Sequence, residues 1–546
     1  MISKAALSGI KKYGAALDWK LLVFLLLFGQ VKLLIKIAAV ILIFILRPVY
    51  RFGLAQGRLP LFYIAVIGIA LINLALSGLY RDLHYDLVFI LGCAYWLLCL
   101  LAAHQVKLAV ERNDPEVIHN TIVAFFILNA IVSLAIYAGI VIETGAINPY
   151  RYQGNYQKYF IGTGDYIKGI SFDTSTTNAV LNAFGVLYFL YKRQLPLTLL
   201  CMTVLLLTGS NMINILLVLV FLYIAIFQSD RNQKSVLVIC MAMLVVFWAK
   251  ISPQNNSYIA ATWEKIIRAD KNDSRRPEKK MRITERPDST LTSEERKEKT
   301  AQLYVDSVTL ALSKVKKTEV QQALPDTVLS ATGKPVLPHD NIHTPAFQHK
   351  WDTTALQKQL TGYLEKEKLE DAVVQQNNGK RLPGKIESWK QTFDFFRSHP
   401  GSIIAGTGMG NFSSKLAFRV TGLGIAGGYP ASYSYINPDF KKNHLELQLS
   451  YYTRNDSLHS LTNSPNSVYD QLLSEYGIAG LLAFVLLYLF FFAKQYRKMD
   501  YGRPLLLLMA AVFFTEYWFE QLSVVVFFEL LLFLNIKEHR HKHHYV

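Results

Sequence analysis

Cysteine is scarce in this chain. There are four among 546 residues, Cys93, Cys99, Cys201 and Cys240, and none between residues 253 and 465. That long stretch therefore has no disulfide to staple it, even in an oxidising compartment. All four fall inside apolar runs, where a thiol behaves as a small buried hydrophobe. No cleavable leader is expected either, because the apolar stretch from Leu21 meets Lys32 and Lys36 in place of a small-residue cleavage site. The apolar runs lack strict alternation with polar residues, which excludes the period-two strands of an outer-membrane barrel. No nucleic-acid motif accompanies the formal charge of +17. The excess is assigned to basic loops that touch anionic lipid, and no nucleic-acid partner is expected.

What the chain has is apolar length. It is 52% hydrophobic and 13% aromatic, with a mean hydropathy of +0.23. In lipid every backbone N–H and C=O must be satisfied within its own segment, so such runs predict helices. They are Leu21–Phe28, Leu33–Leu46, Leu61–Leu79, Leu87–Ala103, Ile118–Ile142, Ala179–Tyr191, Leu197–Thr208, Ile213–Phe227 and Val236–Ile251, then Ile478–Ala493, Pro504–Phe519 and Leu522–Ile536. The expected class is an all-α polytopic membrane protein of about twelve transmembrane helices, the first two forming a hairpin.

Short-loop cations set the orientation. Arg47, Arg51 and Arg58, then Lys107 with Arg112, Lys192 with Arg193, Arg231 with Lys234, and Lys494, Arg497, Lys498 and Arg503 all fall on one side when crossings are counted, as does the tail from Lys537 to Lys542. By the positive-inside rule that side is the cytoplasm. Three regions follow: residues 1–252 carry the first nine spans, 253–465 form one large external insert, and 466–546 hold the last three spans and a basic tail. Within the insert, 265–299 is dense in both charge signs and reads as solvated helix or disorder. Residues 330–345 read as a linker. From Gly384 the apolar and aromatic residues return, with Trp389, Phe393, Phe395 and Phe396, and an ordered region near the membrane is expected.

Three stretches carry chemistry. The first runs from Asn466 and Ser467 to Gly477 and Gly480, where the insert rejoins the membrane and the two glycines mark a break or a close helix contact. The second is Trp389, Phe396, Pro400 and the turn Gly406-Thr-Gly408-Met-Gly410-Asn411-Phe412. The third is Leu206-Leu-Thr-Gly-Ser210 followed by Asn211, between two short apolar runs. Together with the span pattern and the place of the insert, these resemble the O-antigen ligase and O-antigen polymerase superfamily. In that family a His followed by Asn, Ser or Gln precedes the Gly-x-x-Gly, and Asn466 stands where the His is expected. An amide cannot act as a general base. Many relatives also read Ser-Arg where this chain has Ser210-Asn211. Residues 253–380 match no motif.

The resemblance implies transfer of a glycan from undecaprenyl diphosphate to a hydroxyl at the periplasmic face of the bacterial inner membrane, without metal or nucleotide cofactor. The acceptor is lipid A core, a growing glycan or a protein. A diphosphate leaving group calls for cations, and Arg151, Lys385, Arg397 and Arg419 are the external candidates. Arg151 and Arg397 each have a glycine eleven residues later, Gly162 and Gly408. Trp389, Gly406, Gly408, Gly410 and Asn211 complete the expected substrate contacts. With Asn466 restricted to orienting the acceptor, the base is sought in His459, seven residues upstream, or in Asp470, Glu475 or water. His444 and His399 are the other nearby histidines, and His459 is favoured. His339, His343 and His349 have no metal spacing, and His539, His541, His543 and His544 belong to the basic tail. Glu516, Glu520 and Glu529 stand in apolar surroundings, where an acid is a functional flag. Two other readings stay open: a transporter or flippase for the lipid-linked glycan, although internal repeats are lacking, and an inactive scaffold of polysaccharide assembly.

Overall fold

A computed structural model describes residues 16–53, 59–151, 166–252, 382–423, 429–451 and 461–544. The described residues form helices and turns with no strand. Four helices are long and apolar enough to cross a membrane: Leu83–Arg112, Pro115–Thr144, Arg231–Ile251 and Val468–Lys498. Shorter apolar helices accompany them at Trp19–Phe28, Leu33–Leu46, Phe62–Ser77, Leu195–Leu207, Asn211–Phe227 and Gly502–Val512.

Local chemistry sets the helix ends. Pro115 opens its helix at a position that needs no N–H, and Gly145 ends it at φ 66°. Asp230 and Gln233 form a reciprocal capping box at the start of Arg231–Val246. Trp19–Phe28 and Leu33–Leu46 fold back on each other: Asp18 pairs with Arg47 across their open end, and Lys20 Nζ donates to Leu46 O at 3.2 Å. With 10 residues at about 1.5 Å each, the first arm reaches only about 15 Å, half of a bilayer core.

Two helices are buried on all faces over most of their length and lie at the centre. Ser175–Tyr191 is buried along nearly its whole length, and Ser523–His544 is buried on every face from Val524 to Leu534. Phe62, Trp96, Phe484, Tyr488, Phe513 and Phe519 interlock beside them, mostly edge-to-face or tilted. The outside is apolar as well. Leu34, Leu76, Ile226 and Val238 are each at least 68% exposed on the flanking helices. A bundle with hydrocarbon both inside and outside is matched to lipid, since water would charge about 25 cal/mol for each Å² of such surface. The cysteines are free; Cys99, Cys201 and Cys240 are buried and Cys93 is half-buried.

The two ends of the bundle differ. At one end the cations of the short loops come together. Asp18 binds Arg47 and Asn113, Lys537 Nζ donates to the carbonyls of Val110, Glu111 and Asn113, and Lys192 pairs with Glu538 at 2.6 Å. Residues 382–423 and 429–451 pack against the other end, over the start of the Val468–Ala483 helix.

Candidate functional site

One face of the Gly384–Ser398 helix carries Lys385, Ser388, Thr392, Phe395 and Phe396, the i, i+3, i+7 spacing of a buried stripe. That stripe docks on the segment that begins at Asn466. Lys385 is 5% exposed, and its ammonium donates to Asn466 O and, at 3.0 Å, to Thr515 O. Burial pushes its pKa down to about 8, against the opposing pull of Glu516 and Asp470. Two successive turns of the same helix reach Asp470, whose carboxylate accepts from Ser388 at 2.5 Å and Thr392 at 2.7 Å and, from beyond the glycine-rich turn, Ser413 at 2.8 Å.

His444 completes this cluster and is fully buried. Its Nε2 lies 2.9 Å from Ser388 Oγ and 3.4 Å from Asp470 Oδ2. A serine–histidine–acid relay needs the serine and the acid on opposite ring nitrogens. Here one nitrogen faces both, and Ser388 bonds Asp470 directly, so the cluster fastens three segments and does not build a nucleophile.

The glycine-rich turn is likewise clasped from within. Gly477 takes φ 67°, interrupting its helix and freeing the backbone groups on either side. Ile478 N and Ala479 N donate to Ile403 O and Ile404 O, while Thr407 N and Gly408 N donate to Ser474 O and Glu475 O. Glu475 then accepts from Gly410 N at 2.8 Å and Phe412 N at 3.1 Å. All three turn glycines, Gly406, Gly408 and Gly410, take positive φ; the amide of Gly410, with that of Phe412, holds the chain's own carboxylate, while Gly406 N and Gly408 N donate to the carbonyls of Ser402 and Glu475. Asn73 and Tyr85 pin the turn to the amino-terminal helices through the carbonyls of Ala405, Gly406 and Met409.

Asn466 sits at the junction, 4% exposed. Its Nδ2 donates to Glu516 Oε2 at 2.8 Å, and its Oδ1 accepts from Gln448 at 3.3 Å. Gln521 Nε2 donates to the same Glu516 oxygen at 3.3 Å, and Thr177 Oγ1 connects Gln521 to Asp173. Lys385, Lys415 and Asp173 are the charges that act on Glu516. Lys36, buried in the Leu33–Leu46 helix, feels Asp173 and Lys415 while donating to Phe28 O at 2.7 Å. Beside this network lies a very small cavity of about 10 Å³, lined by Tyr95, Gln471, Glu475 and Glu520 among others.

Lys385, Asn466, Trp389, Gly406, Gly408 and Gly410 therefore converge on one region. Trp389 is half-buried and stacks on Phe514 at 6.3 Å. Arg419 donates to Tyr95 OH at 2.8 Å on the far side of the glycine turn. The others fall elsewhere. Arg397 has a side chain 83% exposed and pairs with Asp394 one turn away. Asn211 accepts from Trp248 Nε1 between Asn211–Phe227 and its neighbour. Arg151 ends the short turn Pro149–Arg151, its side chain outside the description. His459 lies outside the described residues, as do Gly162, His339, His343 and His349. His399 is exposed and stacks on Phe395. Asp470 and Glu475, the alternative bases, are occupied by the bonds given above. Among the described residues no group of His, Cys, Asp and Glu is arranged to hold a metal. The sequence signal that reached part of this site was the acid in an apolar run, at Glu516. Lys36 carried the same signal as an intramembrane cation but enters the sequence reading only as a charge that argues against a leader cleavage site.

No family model, no curated protein and no solved structure matches the chain.

Proposed function

We propose that this chain is a polytopic inner-membrane glycan transferase that moves a glycan from undecaprenyl diphosphate to an acceptor hydroxyl at the periplasmic face. The reading includes about twelve spans and an external insert at 253–465. One observation carries it. The two stretches that resemble the O-antigen ligase and polymerase superfamily, the Trp389–Phe412 region and the Asn466–Gly480 region, clasp each other through the glycine turn and Glu475, and Lys385, just ahead of Trp389, adds a bond to Asn466. Segments separated by dozens of residues thus form one constellation, with a cation and a carboxylate at the junction.

The chemistry suits the groups. Glycosyl transfer from a diphosphate develops negative charge on the leaving oxygen, and cations held in a low-dielectric setting stabilise it best. Lys415 and Lys385 act on Glu516, the carboxylate that holds Asn466. Lys385 spends two of its three donors on backbone carbonyls, which leaves one for an oxygen of the substrate. The gathering of short-loop cations at the opposite end supports the orientation, because that end then faces the cytoplasm and the site faces out.

The glycan profile of a strain lacking the protein tests this. Loss of chain length or of glycan attachment, with lipid-linked glycan accumulating on the outer face, is expected. Accumulation on the cytoplasmic face instead identifies a flippase, and an unchanged profile removes the transferase reading.

A further inference from the structure

We propose that Glu516 is the general base that takes the acceptor proton, with Asn466 and Gln521 as the residues that position it. The inference rests on the glycan-transfer reading above and names a base among the described residues, where the sequence favoured His459, which lies outside them.

Asn466 stands where relatives carry histidine, and an amide has no basic lone pair to offer at neutral pH. What it does have is a carboxylate on its side chain's doorstep: Nδ2 lies 2.8 Å from Glu516 Oε2. Gln521 donates to the same oxygen. Both donors therefore fall on Oε2, and among the described residues no donor meets Oε1. A carboxylate held by one oxygen and open at the other is oriented without being used up. Asp470 and Glu475, by contrast, have their oxygens filled by three hydroxyls in one case and two backbone amides in the other. Neither can turn toward a substrate without breaking the clasp that builds the site.

The step balances. The acceptor O–H gives its proton to Glu516 Oε1, and the released oxygen pair forms the bond to the anomeric carbon. The bond from that carbon to the diphosphate oxygen breaks, and its electron pair leaves on undecaprenyl diphosphate. Glu516 then returns the proton to solvent or to the departing diphosphate. Lys385, Lys415 and Asp173 are the charged neighbours of Glu516, so the base lies next to the cations that the leaving group needs.

The test uses the full-length protein in lipid nanodiscs, with undecaprenyl-diphosphate-linked glycan and acceptor extracted from cells that lack the protein. Glu516→Gln is expected to lower turnover by about 100-fold or more, the ordinary worth of general-base catalysis, with the KM for lipid-linked glycan unchanged. Adding Asn466→His to that variant is expected to recover at least about tenfold, since an imidazole then occupies the adjacent position. A Glu516 that merely held the fold together would not be replaced by a histidine at residue 466. If Glu516→Gln does not accumulate, Glu516→Ala with added formate decides: formate-dependent transfer supports the assignment, and its absence in folded protein overturns it. Turnover within threefold of the parent in Glu516→Gln also overturns it. A parent protein that transfers nothing overturns the glycan-transfer reading itself, and with it this assignment.

Discussion

Two cations on one helix part company at the residue scale. Lys385 and Arg397 both belong to Gly384–Ser398, yet Lys385 faces Asn466 and Thr515 while Arg397 faces outward to Asp394. Exposed ion pairs one turn apart contribute little to stability. A buried ammonium is different, because its removal leaves two carbonyls without donors, at about 1–3 kcal/mol each. Lys385→Met is expected to abolish transfer and lower the melting temperature, whereas Arg397→Ala keeps transfer within about twofold. Membrane-fraction activity with thermal melting of the purified variants checks both. A loss in Arg397→Ala equal to that in Lys385→Met would return the exposed cation to the diphosphate site.

Protonation of Lys385 gives a second expectation. Its pKa in the folded protein is lowered to about 8, and the unfolded chain keeps the ordinary value of 10.5. Between those values the unfolded state binds more protons, so the folded state gains stability as pH rises. The cost of burying the charge is fully present below about 8 and is relieved toward 10.5. The parent's melting temperature is expected to rise from pH 8 to pH 10 relative to that of Lys385→Met, which lacks the titrating group. A constant difference across that range contradicts the burial of a charged Lys385.

At the element scale, the break in the Val468–Ala483 helix explains the glycines. A Cβ on Gly477 would lie 2.2 Å from Ile404 O, and one on Gly406 would lie 2.3 Å from the Glu475 carbonyl carbon. Each glycine also has positive φ, so an alanine adds roughly 1–3 kcal/mol of backbone strain to a clash that no side chain can move to relieve. Gly477→Ala and Gly406→Ala are expected to reduce accumulation of folded protein severalfold. Gly401→Ala, with nothing within 4 Å of its new Cβ, is expected to be silent. Quantitative immunoblotting of the membrane fraction separates them.

Some of this was legible in the sequence and some was not, for a physical reason. Gly477 and Gly480 signalled a break or a close helix contact, and a break occurs at Gly477. The short runs around Gly209-Ser210-Asn211 signalled two short helices, and Leu195–Leu207 and Asn211–Phe227 are those helices. Partners were beyond reach, because they are set by packing across long separations. Asn466 and Glu516 meet across 50 positions, and Asn73 reaches Gly406 across 333. The glycine-rich turn looked like a substrate contact because its spacing shows available amides without showing which anion fills them. Glu475 fills them.

For the whole molecule, the two ends of the bundle make opposite demands on the membrane. At one, Arg47 and Asn113 share Asp18, Lys537 donates to Asn113 O and Lys192 pairs with Glu538; the other is covered by residues 382–423 and 429–451, which pack over the buried carboxylates of Asp470 and Glu475. A translocated end carrying the first set would violate the bias that places short-loop Lys and Arg in the cytoplasm. The basic end is therefore expected inside, and residues 384–451 outside. Gly401→Cys and Ser235→Cys place single exposed thiols at the two ends, in a background where the native thiols are buried or half-buried. In intact spheroplasts a membrane-impermeant maleimide is expected to label the cysteine at 401 and to reach the one at 235 only after permeabilisation. The reverse pattern would put the Lys385–Asn466–Glu516 site in the cytoplasm, away from any acceptor on the outer face, and glycan transfer there would have to be abandoned.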